Sequence, residues 1–154
     1  AFRKPGSVKL TGSPFDTAEV VLSPQMKKWE TSTAAAAAKR PDGVASQPIG
    51  RYETHTTTLS SRTKTGAAEQ HRDWDDIFVV VSGEASLVSG GHLVDPQTVA
   101  PGELRGSGVA GGTTVHLTAG STVHISPLVP HQLLLEPGAV FSYYVVKVKD
   151  SVSR

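Results

Sequence analysis

The sequence predicts an all-β single domain of sandwich or barrel type, and three observations carry that reading. Short apolar runs, about five to nine residues each, recur through the second two thirds of the chain, as strands do. Each run closes on Gly, Pro or Ser, and the chain holds 15 glycines and 10 prolines, which favours many turns over long helices. At 154 residues the chain is long enough for one domain with a real core and too short for two comfortable ones.

The elements follow in order. Residues 1–22 carry two short β-like pieces, SVKL and AEVVLS, separated by the turn-rich TGSPFD. Ser23 is then a good N-cap, and Pro24 suits the first helical position because its missing N–H would have been unpaired there anyway. QMKKWETSTAAAAAK continues the helix and RPDG stops it, so residues 24–38 are the one long helix expected. The Ala34–Ala38 run has high helix propensity but little to bury, and reads as the thin end of a surface helix. From Arg51 the pattern changes to period two. RYETHTTTLSSR alternates and is rich in threonine, as a half-exposed strand should be. IFVVVSG, EASLVSGG, TTVHLTAG, STVHISP, HQLLLEPG and VFSYYVVKVK follow, each with its own turn signal. The expected plan is an N-terminal arm with one helix over residues 1–50 and a β-barrel over residues 51–150, packed as one compact domain.

Composition narrows the function classes. The formal net charge is +1, from 15 basic and 14 acidic residues, and no basic block stands out, so nucleic acid is not an expected partner. No apolar run approaches the roughly 20 residues a membrane span needs. Cysteine is absent, which excludes disulfides, thiolate ligands and a cysteine nucleophile. The start at Ala1-Phe2-Arg3-Lys4, without a methionine, fits either export after signal-peptide cleavage or a trimmed chain, so periplasmic or secreted and cytoplasmic locations both stay open. No Gly-rich phosphate loop or nucleophile elbow occurs. SGG and AGG are better explained as hairpin turns.

The stretch EQHRDWDDIFVVVSGE, residues 69–84, is the densest in chemistry. His71 sits among acids at the mouth of an apolar strand. Asp76 is followed by IFVVVS and then Gly83. Further on, GSTVHISPLVPHQLLL supplies Gly120, Pro127 and His131. These two motifs resemble those of the cupin family, small β-barrels of the jelly-roll type, over roughly residues 50–148. In the family's first motif two histidines with one residue between them precede an acid and a glycine. His71 fits the second histidine, Asp76 the acid and Gly83 the glycine, while Glu69 stands where the first histidine would. The resemblance implies a cupin-type jelly-roll barrel with an N-terminal β/α extension, a divalent metal (Fe, Mn, Ni, Cu or Zn), and ligands His71, Asp76 and His131.

The residue types agree with that chemistry. Residues 69 and 71 of a strand face the same side, and two imidazoles with one carboxylate form the facial triad of non-haem Fe(II), which also suits Mn, Ni or Zn. A second register reads Asp73 in place of Asp76, and spacing alone does not choose between them; the downstream glycine favours Asp76. Glu69 is either a fourth ligand or a group that orients His71. Asp73 and Asp75 otherwise read as a solvated corner. His124 alternates with its neighbours and faces the other way, and His55, His92 and His116 lack matching context. The expected function is a metal-dependent cupin enzyme acting on a small polar organic molecule by oxygenase, isomerase or lyase chemistry. The alternative is a non-catalytic small-molecule or sugar-binding module whose metal site has decayed. Single-barrel cupins commonly pair, so a homodimer is expected, with the first residues exchanged across a two-fold axis.

Overall fold

The computed structural model describes residues 7–9 and 18–151. Strands β1 (Ser7–Lys9) and β2 (Glu19–Val21) pair antiparallel within the two pieces that SVKL and AEVVLS predict to be extended. Most of the arm expected to exchange between protomers lies outside the described residues.

The helix α1 covers Ser23–Lys39. Its N-cap is Leu22, extended at φ −75° and ψ 151° and with no capping side chain. The cap thus falls one residue earlier than expected and Ser23 lies inside the helix, while Pro24 sits in the first turn where its missing N–H costs nothing. Of the Ala34–Ala38 run only Ala37 is buried, as the end of a surface helix should be. Thr33 and Ala37, one turn apart, are both buried against the sheet below. Small side chains let the helix approach closely, and Thr33 Oγ1 reaches Ser61 Oγ at 2.7 Å, which in turn contacts Ser142 Oγ at 2.8 Å. A chain of hydroxyls satisfies what an apolar contact would otherwise strand.

The remaining strands are β3 (Val44–Arg51), β4 (His55–Arg62), β5 (Ala68–His71), β6 (Trp74–Ser82), β7 (Ala85–Ser89), β8 (His92–Val94), β9 (Gln97–Ala100), β10 (Glu103–Gly106), β11 (Gly108–Ala110), β12 (Thr113–Leu117), β13 (Thr122–Ile125), β14 (His131–Leu134) and β15 (Phe141–Lys149). They form a five-stranded sheet, β13-β6-β15-β4-β3, and a six-stranded sheet, β12-β7-β14-β5-β10-β9, with β8 and β11 as a separate pair. The ladders are antiparallel throughout. Among the described residues the fold is all-β with one helix, as the turn-rich composition demanded. Its hydrogen bonds run in two facing sheets rather than around one closed ring, so the expected barrel is the flattened barrel of a jelly roll. Phe78, Val80, Ile125, Phe141 and Tyr143 from one sheet pack on Ala85, Leu87, Leu117 and Leu133 from the other. This core occupies one end of the space between the sheets, and the polar residues of EQHRDWDD border the other. Among the described residues no helix is long and apolar enough to cross a membrane.

Candidate metal centre

Strand register assembles the site. Glu69 and His71 are two residues apart on β5 and so share a face. β10 runs antiparallel beside β5 and places Glu103 opposite His71 and Arg105 opposite Glu69. β14, on the other side, sets His131 opposite Glu69. In the other sheet Lys147 of β15 lies opposite Asp76 of β6. The pairs Glu103–His71, Arg105–Glu69, His131–Glu69 and Lys147–Asp76 are thus cross-strand, and Asp76 meets the two histidines across the gap between sheets.

His71, Asp76 and His131 are 5%, 8% and 6% exposed, so all three are inside the protein despite their polarity. Asp76 Oδ2 lies 3.1 Å from His71 Nε2 and 3.5 Å from His131 Nε2. Glu69 Oε2 lies 3.8 Å from each of the same two nitrogens. Glu69, His71 and His131 each present one ligand atom, and these three atoms lie within 4.8 Å of one another. Asp76 comes closer to the nitrogens than Glu69 does, but it also faces a fixed cation: Lys147 Nζ is 3.4 Å from Asp76 Oδ1 and 3.4 Å from His71 Nε2. Glu69 is neutralised at its other oxygen by Arg105 at 2.6 Å.

The outer contacts fix which nitrogen points inward. His131 Nδ1 is 3.0 Å from the Val129 carbonyl; a carbonyl only accepts, so Nδ1 carries the proton and the Nε2 lone pair faces the carboxylates. His71 Nδ1 contacts the Glu103 carboxylate in the same sense. Such carboxylate and carbonyl partners orient metal-binding histidines and raise their basicity. The loop that delivers His131 is itself held to the site. Leu128 adopts a left-handed backbone, φ 67°, rare for a branched residue, and its N–H donates to the His71 carbonyl at 2.7 Å.

Electrostatics follow from burial and neighbours. Burial disfavours the His71 imidazolium, but Asp76 and Glu103 outweigh burial and the opposing Lys147, so its pKa stands above the ordinary histidine value. Burial also works against the Asp76 carboxylate, yet His131, His71 and Lys147 hold it well below the usual carboxylate range. Three carboxylates (Glu69, Asp76, Glu103) thus face two fixed cations (Arg105, Lys147) around a pair of imidazoles. Asp76 Oδ1 is buried and accepts no hydrogen bond among the described residues. Inward Nε2 lone pairs and an excess of carboxylate are what a divalent cation fits.

Other acids of the stretch point elsewhere. Asp73 is bound to its neighbour Arg72 at 2.9 Å and is half-exposed; Asp75 accepts from the exposed His124 at 2.8 Å. The register through Asp73 therefore has no counterpart in space. Sequence reasoning missed Glu103 and Lys147 and assigned Arg105 no role. Lys147 had a readable signal, since it alternates with Tyr143 and Val145 on an otherwise apolar strand face. Glu103 and Arg105 had none, because the pairing of β10 with β5 is not written locally.

The cluster forms one end of a cavity of about 290 Å³, whose walls include Glu69, Asp76, His131, Lys147, Arg62 and Tyr143. That volume lies at the small end of ligand sites.

No family model matches the sequence, and no curated protein matches it. Solved structures do. The Clostridium difficile EutQ protein is similar over 96% of this chain and 90% of its own, at 13% identity and a TM-score of 0.57. The TT1209 protein from Thermus thermophilus is similar over 72% of this chain and 88% of its own, at 16% identity and 0.52. Recombinant oxalate oxidase in complex with glycolate matches 72% of this chain at 14% identity and 0.51, and this chain spans about half (53%) of its length. The architecture shared with these neighbours is the pair of facing antiparallel sheets described above. The chain has the cupin fold. In that fold the two motifs of the sequence occupy facing strands: the acid of the first, on β6, meets the histidine of the second, on β14. The chain therefore carries a Glu/His/His cluster able to hold a metal, with Asp76 against it.

Proposed function

We propose that this cupin is a metal-dependent enzyme acting on a small polar organic molecule, with His71, Asp76 and His131 as ligands to a divalent ion and Glu69 as the fourth. The observation that carries the proposal is the pair of buried imidazoles whose Nδ1 protons are engaged outward, leaving both Nε2 atoms directed at two carboxylates. Such a site takes Fe, Mn, Ni, Cu or Zn. A bound ion supplies a Lewis acid for a carbonyl or hydroxyl oxygen of the substrate. The chain supplies the rest. Glu103 and Val129 hold the imidazoles in place, Arg105 orients Glu69, and Phe78, Leu133 and Val145 form the apolar part of the cavity wall. The oxalate oxidase that resembles this chain was solved with glycolate, a small hydroxy acid of the kind such a cavity suits. Oxygenase, isomerase and lyase chemistry all run on this scaffold, and the fold does not choose among them. As a single-barrel cupin, the protein is proposed to pair as a homodimer.

One observation favours the alternative, a non-catalytic binding module. The Lys147 ammonium already lies 3.4 Å from both Asp76 and His71 and supplies a cation of its own. Crystals grown with Mn(II) and measured for anomalous scattering separate the two readings. The enzyme reading expects a peak at coordination distance from His71 Nε2 and His131 Nε2. The binding module expects none there, with Lys147 still between Asp76 and His71.

A further inference from the structure

Arg62 is the part of the cavity that the metal reading leaves unused. Thr58, Ser60 and Arg62 alternate along β4 and line the cavity together. Arg40, Arg72 and Arg105 each hold an Asp or Glu; among the described residues no carboxylate pairs with Arg62, although it is half-buried. Its Nε donates instead to the Tyr143 hydroxyl oxygen at 3.0 Å. Its guanidinium also lies against Gly66, where an added Cβ would come within 2.6 Å of Nη1. These contacts fix the fork in one orientation. The Tyr143 oxygen accepts from Arg62, so its own proton remains to be donated to another group. A partly desolvated guanidinium without a counter-ion is unfavourable, and its parallel N–H donors match a carboxylate two at a time.

We propose that Arg62, oriented by Tyr143 and Gly66, anchors a carboxylate of the ligand that fills this cavity, while the ligand's other polar end meets the His71–His131 cluster. The inference rests on the cavity being the ligand site, as in the proposed function, and it specifies the ligand as a small organic acid. Geometry adds a length. Gly66, beside the guanidinium, donates to the Leu133 carbonyl at 3.0 Å, and Leu133 is two residues from His131 on β14, about 7 Å along the strand. An acid with a short carbon chain between two polar ends spans that distance better than a two-carbon acid does.

The test is calorimetric titration of wild type, Arg62→Gln and Arg62→Lys with succinate, glutarate and adipate, and with the neutral glutaramide, each with and without Mn(II). Wild type should bind at least one of the dicarboxylates and bind glutaramide far more weakly. Arg62→Gln should weaken dicarboxylate binding about tenfold or more, and Arg62→Lys should fall between, keeping the charge but losing the fork. Bound Mn(II) should be unchanged by either substitution. If Arg62→Gln fails to fold, Tyr143→Phe and the acid-against-amide comparison in wild type still decide. Equal affinity for glutarate and glutaramide, equal binding in wild type and Arg62→Gln, or no binding of any dicarboxylate overturns the proposal. Arg62-dependent binding in a protein that takes up no metal would leave this anchor standing and remove the metal reading instead.

Discussion

At the residue scale, the site depends on which carboxylate faces the histidines. Asp76 does and Asp73 does not, so Asp76→Asn should weaken metal affinity by about tenfold or more, while Asp73→Asn, which only loses an exposed pair with Arg72, should change it little. Competition against a chromophoric chelator reads both. Lys147 acts in the opposite direction. Its ammonium shares Asp76 and His71 with the incoming ion, so Lys147→Met should tighten metal binding in the same assay; weaker binding would mean that Lys147 helps to build the site. The pH dependence has a defined sign. In the metal-free protein the pKa of His71, which faces Glu69, Asp76, Glu103, Lys147 and His131, is raised. Its stabilising contribution is present below the ordinary histidine value, about 6.5, and is lost as pH rises through the higher folded value. Metal displaces that proton, so affinity should fall with decreasing pH through a midpoint above about 6.5. Asp76, whose pKa is lowered, stays ionised throughout that window. His71, Asp76 and His131 were legible in the sequence because each belongs to a motif with fixed spacing to a turn glycine or proline. Glu103 and Arg105 were not, because they reach the site only through strand pairing.

At the element scale, the glycine that made Asp76 the preferred acid has a structural task. Gly83 ends β6 at φ +79°, and an added Cβ would collide with the Val140 carbonyl oxygen. Gly120, at φ +88°, has nothing within 4 Å of an added Cβ. Gly120→Ala should therefore cost about 1 kcal/mol of left-handed strain, whereas Gly83→Ala should cost clearly more, because backbone must move as well. Thermal unfolding of the two variants gives the comparison directly; equal losses would deny the clash. The same scale separates legible strands from hidden ones. β6, β7 and β12 to β15 carry apolar runs closed by turn residues, and the sequence announces them. β3 hides in VASQPIGR, where Pro48 and Gly50 argue against a strand; it is an edge strand whose ladder shifts register between those residues, where proline is tolerated. β8 and β11 are three residues each and β9 is exposed throughout, so no local pattern marks them. Their extended form comes from their partners.

At the scale of the whole molecule, the two sheets, the core at one end and the charged cavity at the other form one account, in which the proposed metal would also be a structural ligand. A ligand that binds only the folded state stabilises it by mass action, about 2.7 kcal/mol at a hundredfold excess over Kd. For a domain of this size that corresponds to a rise in unfolding midpoint of about 5 °C or more, reversed by chelator; no shift in scanning calorimetry would argue against a site joining β5, β6 and β14. The proposed homodimer is tested by sedimentation at micromolar concentration, where a monomer would remove it. The most direct measurement is metal content by elemental analysis of protein purified without a histidine tag, loaded in turn with Fe, Mn, Ni, Cu and Zn and then desalted. The account predicts about one divalent ion per chain in the wild type for at least one of these metals, and loss of most of it in both His71→Ala and His131→Ala. A wild type that stays metal-free with all five, or histidine variants that keep their metal, would contradict it.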